Sequence, residues 1–279
     1  MALPRVLLVE DDVSIRRLVE MSLDGMPIEL ITCEGAAQAR ERLRESPVRM
    51  LITDLMMPGE TGIELLQSLD RDPALRAGAR LVVFSAGISP ELERTMAALG
   101  VWRFLTKPSS MLVLERCVLD ALGLDLAADP AACAAPAADE PAAVPVVDVH
   151  EQAAIDRHFA GNAPLFHAFR ATCLTQFADD LQEGDRAAGA RDAQGMRRLA
   201  HSLKSVLRTL GHEAEADGAA RLESAAAAGD WTAAAAPWSD LPVWLPRESA
   251  GLHQVAIGRA LATGLQCRPL PQTLRDTAA

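Results

Sequence analysis

Within the first 122 residues, five short apolar runs alternate with five helical patterns, and this alternation constrains the fold more than any other feature of the chain. The runs are Val6 to Val9, Ile28 to Ile31, Met50 to Thr53, Leu81 to Phe84 and Val101 to Leu105, and each reads as a buried strand. Helical patterns cover Ser14 to Asp24, Ala36 to Glu45, Gly62 to Leu69, Pro90 to Leu99 and Ser109 to Leu122. Crossovers of this length form right-handed βαβ units, so a five-stranded parallel, doubly wound sheet with helices on both faces is predicted. Ligands of such a sheet sit at the carboxyl ends of its strands.

After Gly123 the sequence turns to AADPAACAAPAADEPAAVP, too poor in large apolar side chains to build a core. It reads as a linker over residues 124–146 between an α/β domain, residues 1–123, and an all-α helical bundle, residues 147–241. Residues 242–279 hold four prolines around one candidate helix, Ser249 to Gln266, and their role is not legible. A chain of 279 residues with 49% apolar content has room for two cores. The net charge of -11 argues against a general nucleic-acid surface, which needs a local excess of Lys and Arg. No stretch is apolar for the roughly 20 residues a membrane span requires, and no signal peptide precedes the first run, so a soluble, cytoplasmic protein is expected. Cys33, Cys117, Cys133, Cys173 and Cys267 lack metal-like spacing and read as reduced thiols.

The chemistry lies at the strand ends. The first run ends in Glu10-Asp11-Asp12, the third at Asp54, the fourth at Ser85 and the fifth at Lys107 before Pro108. One acidic turn is ordinarily a helix cap. Four such groups in order at one sheet edge are a different matter. The segments VLLVEDD, LITDLMMPGETG, LVVFSA and FLTKP resemble the motifs of the bacterial response-regulator receiver family, over about the first 122 residues. The resemblance implies that Asp54 is the phosphoacceptor and that Asp11, Asp12, Asp54 and the Met56 carbonyl hold Mg²⁺. It further implies that Ser85 is a switch hydroxyl and that Lys107 pairs with the phosphate, with Pro58 and Gly62 matching the family loop.

Clustered carboxylates repel one another, and a hard cation relieves that repulsion while bridging to phosphate oxygens. Asp54 can then act as the nucleophile, with Mg²⁺ and Lys107 stabilising the transferring oxygens. Phe104 reads either as the family's aromatic switch or as a core side chain. Ala86 reads as tight packing, or as a small residue that leaves the phosphoryl group accessible.

In the second domain, DAQGMRRLAHSLKSVLRTL, residues 192–210, is a helix pattern that Gly211 stops. Met196, Leu199, Ala200, Leu203, Val206, Leu207 and Leu210 form its buried stripe. Arg197, His201, Lys204, Ser205 and Arg208 occupy the other stripe, which is expected to face solvent. A surface His is ordinarily a solvated residue, but imidazole among cations is also a competent phosphoryl nucleophile. AHSLKSVLRTLG resembles the histidine phosphotransfer (Hpt) motif: His201, Lys204 and Gly211 match, while Ser205 replaces a usual Gly and adds a hydroxyl where a receiver approaches. His150, His158, His167, His212 and His253 read as structural or solvated, and Trp231, Trp238 and Trp244 as packing residues.

These resemblances imply a phosphorelay protein that takes a phosphoryl group on Asp54 from a histidine kinase. His201 then exchanges phosphate with an Asp on this or another receiver, and other receiver or Hpt proteins are partners. The roughly 24-residue linker, taken as a coil, spans about 25–30 Å, which permits an encounter within one chain. The alternative is a phosphorylation-switched binding module whose helical domain docks on a histidine kinase without transfer. A transcription regulator ranks below both, because the C-terminal half offers no clear recognition helix.

Overall fold

The protein is described by a computed structural model over residues 3–124 and 149–231, together with Ala234 and Trp238. The linker, the candidate helix Ser249 to Gln266 and Trp244 lie outside the described residues. Strands β1 (Arg5–Val9), β2 (Glu29–Cys33), β3 (Met50–Thr53), β4 (Arg80–Ser85) and β5 (Val101–Thr106) form one parallel sheet in the order β2-β1-β3-β4-β5. β2 runs to Cys33 rather than stopping at Ile31, because its ladder with β1 pairs Arg5 with Glu29 and continues to Val9 with Cys33. Pairing, not hydropathy, sets the bounds of this edge strand.

Alternation along the strands divides the core in two. Val6, Leu8, Met50, Ile52, Val82 and Phe84 point to one face of the sheet, and Leu7, Val9, Leu51, Leu81 and Val83 to the other. Helices α1 (Val13–Ser22), α2 (Ala36–Glu45), α3 (Gly62–Arg71), α4 (Pro73–Arg76), α5 (Pro90–Ala98) and α6 (Met111–Leu122) cover them, α1 and α6 on the first face and α2, α3 and α5 on the second. Among the helices of the sheet domain only the four-residue α4 has no counterpart in the sequence patterns; the Asp72 carboxylate accepts the Leu75 N–H at 3.0 Å and Pro73 opens its first turn.

The second half is helical: α7 (Val149–His158), α8 (Ala163–Ala190), α9 (Ala193–Thr209) and α10 (Glu213–Ala227). α8 has 28 residues and is about 42 Å long. α9 starts where the Asp192 carboxylate accepts the Gly195 N–H at 2.9 Å. It stops at Gly211, whose φ of 88° and close approach to the His150 carbonyl, 2.8 Å from where a Cβ would stand, exclude any larger residue. The predicted apolar stripe of α9 is buried from Met196 to Leu210. Trp238 is a packing residue, stacked over Gly184 of α8 with its indole N–H donating to Asp185.

The two halves share a core. α1 packs on α8, and the apolar cluster holding Ile15 and Leu18 of α1 runs without a break into Phe169 and Cys173 of α8 and Val206 and Leu210 of α9.

Candidate functional site

Hydrogen bonds at the carboxyl edge of the sheet bring the strand-end residues together. The Asp54 N–H donates to the Val9 carbonyl at 3.0 Å, and the Lys107 N–H donates to the Ser85 carbonyl at 3.0 Å. α3 then begins directly over the acceptor loop. A Cβ on Gly62 would stand 1.9 Å from the Asp54 carbonyl oxygen, so the fit of Gly62 to its motif has a steric cause.

Asp54 is buried, and its Oδ1 accepts the N–H groups of Leu55 and of Met56, the latter at 3.2 Å. Lys107 Nζ donates to Asp54 Oδ2 and to Glu10 Oε2, each at 2.5 Å. Burial by itself would raise the Asp54 pKa, but the Lys107 ammonium, with His201 and these hydrogen bonds, holds it below the ordinary carboxylate value. Burial drives Glu10 well above its ordinary value despite Lys107, and lifts Asp11 to about 6 with help from the Asp54 charge. Lys107 is held above its ordinary value, because Asp54 and Glu10 outweigh its burial. Asp54 is thus kept ionised beside carboxylates that need a cation.

Glu10, Asp11 and Asp54 offer ligand oxygens that all lie within 4.8 Å of one another, a hard-oxygen set suited to a divalent cation. Met56 lines the same pocket. The sequence reading paired Asp11 with Asp12, whereas the geometry pairs Asp11 with Glu10. Asp12 Oδ1 caps α1 by accepting the Ile15 N–H at 2.8 Å, and its Oδ2 accepts the hydroxyl of Ser202 on α9. Ser85 Oγ is buried without a hydrogen-bond partner. Phe104 is half-buried against the core of the second sheet face.

The helical half supplies the opposite wall. His201, Ser202, Ser205 and Arg198 line one pocket with Glu10, Asp11, Asp12, Asp54 and Lys107. This corrects the expectation of a solvent-facing stripe: His201, Lys204 and Ser205 are buried, at 5%, 7% and 1% exposure. Periodicity identified a polar face, but polar does not mean wet. α10 covers this face on one side, with Glu223 accepting from Lys204 Nζ and meeting His201 Nδ1 at 2.8 Å, and the acidic edge of the sheet covers the other. Arg197 remains exposed, and Arg208 pairs with Asp217 of α10 at 3.1 Å.

Because Glu223 takes Nδ1, His201 Nε2 is left buried without a partner. Burial would raise Glu223, but hydrogen bonds from His201 and Lys204 bring it down to about 2, so it remains a carboxylate and accepts Nδ1–H. Ser205 turns its hydroxyl onto the His201 carbonyl at 3.1 Å, within its own helix. Sequence reasoning missed Glu223 and Ser202. Glu223 lies 22 residues from His201 on another helix and carries no local signal.

The sheet and its acidic, lysine-bearing edge define a receiver-type α/β domain, followed by a helical bundle that presents one histidine. A family model for the response regulator receiver domain matches residues 6–118, and one for the Hpt domain matches residues 168–254. The chain is 28% identical over 262 residues to the sensory/regulatory protein RpfC of Xanthomonas campestris pv. campestris (strain 8004), covering 91% of this chain and 34% of that protein. It is 28% identical over 210 residues to the sensor protein GacS of Pseudomonas syringae pv. syringae, covering 75% of this chain and 23% of that protein. With the two-component response regulator ORR12 of Oryza sativa subsp. japonica it shares 32% identity over 117 residues, 42% of this chain and 96% of that protein. The chain belongs to the response regulator receiver family and carries an Hpt domain behind its receiver domain. It spans about a third of the length of RpfC.

Proposed function

We propose that the chain is a two-component phosphorelay protein, with a receiver over residues 1–123, a linker over 124–146 and an Hpt bundle over 147–241. Asp54 accepts a phosphoryl group from the phosphohistidine of a kinase, and His201 exchanges it with an aspartate of this or another receiver. One observation carries the reading: the Asp54 carboxylate with its Lys107 partner and the imidazole of His201 line a single pocket.

Asp11 and Asp54, with Glu10 or Asp12 and the Met56 carbonyl, would hold Mg²⁺, which would supply charge neutralisation for the phosphoryl oxygens. Lys107 holds the acceptor carboxylate in place and meets the transferred oxygens, and Ser85 donates its hydroxyl to one of them. His201 attacks phosphorus through Nε2 while its proton stays on Nδ1, donated to Glu223, and Lys204, on the same carboxylate, sits beside the developing charge. Phe104 moving into the space left by Ser85 carries the switch. No helix among the described residues is long and apolar enough to cross a membrane, and we place the protein in the cytoplasm.

The test is the chemical stability of the label after incubation with Mg²⁺ and a phosphorylated donor, in the wild type and in Asp54→Ala and His201→Ala variants. Base-labile label that Asp54→Ala abolishes, and acid-labile label that His201→Ala abolishes, are the expected results. If no phosphorylated receiver ever labels His201, the relay is wrong and the docking module takes its place.

A further inference from the structure

We propose that the two domains of one chain close on each other, latched by Ser202 on Asp12, so that phosphate passes between Asp54 and His201 of the same molecule and an outside protein reaches neither while the latch holds. The transfer half of this inference rests on the phosphorelay reading; the closed state stands on its own contacts.

Three observations carry it. Asp54 is 2% exposed and His201 5%, and they line the same pocket from opposite domains. An apolar cluster runs from α1 into α8 and α9, so closure buries hydrophobic surface as well as charge. The polar contact is specific: Ser202, the residue after His201, donates to Asp12 Oδ2, while Asp12 Oδ1 fixes the start of α1. Arg198, one helical turn before Ser202, lines the pocket opposite the carboxylates of Glu10, Asp11 and Asp54.

Tethering favours this encounter over one between molecules. Residues 123–148 join α6 to α7, and a linker of that length holds the domains at an effective concentration on the order of millimolar, well above micromolar protein. In the closed state the lone pair of His201 Nε2 forms the N–P bond, and the bond from phosphorus to the Asp54 carboxyl oxygen breaks. Its electron pair returns to the carboxylate. The imidazole becomes a phosphorylated imidazolium whose Nδ1 proton stays on the Glu223 hydrogen bond, so charge and protons balance without another reactant. A kinase cannot reach a covered Asp54. Loading by a protein donor therefore requires the domains to part, and closure then moves the phosphate on.

Ser202 touches the receiver but supplies no reacting atom, which makes it the residue to change. Ser202→Asp sets a carboxylate against Asp12, and Ser202→Ala removes only the hydrogen bond. In the full chain with Mg²⁺, labelled on Asp54 by radioactive acetyl phosphate, transfer to His201 is expected at a rate independent of protein concentration. Ser202→Asp is expected to slow it roughly tenfold and Ser202→Ala by less. A mixture of Asp54→Ala and His201→Ala chains, which can exchange only between molecules, is expected to transfer more slowly and in proportion to concentration. Hydrogen exchange reads the closed state without phosphate: amides of α1 exchange faster in Ser202→Asp than in the wild type. Transfer proportional to concentration in the wild type, or unchanged α1 exchange in Ser202→Asp, overturns the closed state. Protected α1 with no label on His201 in either format retains the closed state and overturns the transfer reading.

Discussion

Glu223 meets His201 at Nδ1, 2.8 Å away, and thereby leaves Nε2 as the unpartnered ring nitrogen of a histidine that lines the same pocket as Asp54. A carboxylate can only accept, so in the neutral ring Nδ1 carries the proton and the unpartnered Nε2 holds the lone pair. Glu223→Gln retains the shape but no longer stabilises the imidazolium formed on phosphorylation. Transfer to His201 is expected to slow by roughly ten- to a hundredfold, as when the outer carboxylate of a metal-bound imidazole is lost. Labelling of Asp54 by acetyl phosphate stays at the wild-type rate, and single-turnover kinetics separate the two.

Lys107 Nζ donates to the side-chain carboxylates of both buried Glu10 and Asp54, and among the described residues it is the only cation that bridges the two. Lys107→Ala leaves two carboxylates in a dry site, and removing one partner of a buried ion pair costs about 3–5 kcal/mol. Urea denaturation at neutral pH should show that loss. Millimolar Mg²⁺ should restore part of it by taking over the charge, and it should restore none in a Lys107→Ala, Asp11→Asn double variant.

Gly62 carries the start of α3 on the Asp54 carbonyl, with 1.9 Å available to a Cβ. The obstacle is backbone, which cannot turn aside as a side chain does. Gly62→Ala is expected to destabilise the protein by about 1–3 kcal/mol and to displace the acceptor loop. Asp54 labelling should then fall more than stability alone accounts for, measured well below the melting temperature.

Ser205 stands where the Hpt motif has Gly, yet its hydroxyl donates to the His201 carbonyl rather than obstructing the pocket. Gly in a helix interior costs about 0.5–1 kcal/mol relative to Ala. Ser205→Gly should lower the midpoint of thermal unfolding without accelerating transfer to His201. A faster transfer would mean that the hydroxyl does impede the receiver.

Asp180 on α8 gives the pH dependence a sign. Burial raises its carboxyl to about 7 against an ordinary 3.8, with Gln176 donating to it at 3.1 Å and the charges of Asp12 and Asp179 adding to the rise. The folded state binds this proton more tightly than the unfolded chain does. Its contribution to stability is therefore complete below about 3.8 and is lost as pH rises through about 7. Asp180→Asn should be more stable than the wild type by roughly 1–3 kcal/mol at pH 8 and equal to it at pH 3.5, read from paired denaturation curves.

What the sequence by itself determined was everything that repeats locally or is read in order along the chain. Strand alternation specified the parallel sheet and its two faces, and Asp54, Ser85 and Lys107 followed because strand ends of such a sheet share an edge. The apolar stripe of α9 and its stop at Gly211 were legible for the same reason: helical period and left-handed backbone are properties of neighbours. Tertiary structure decided what depends on distant surfaces. It placed Glu10 rather than Asp12 with Asp11 and Asp54, because the direction in which the chain leaves β1 is set by the start of α1. It buried His201, Lys204 and Ser205, because a polar stripe looks the same in sequence whether it meets water or a carboxylate on another helix. Glu223 and Ser202 acquire their roles only through packing, since hydrogen bonds act over a few ångströms of space and take no account of separation along the chain.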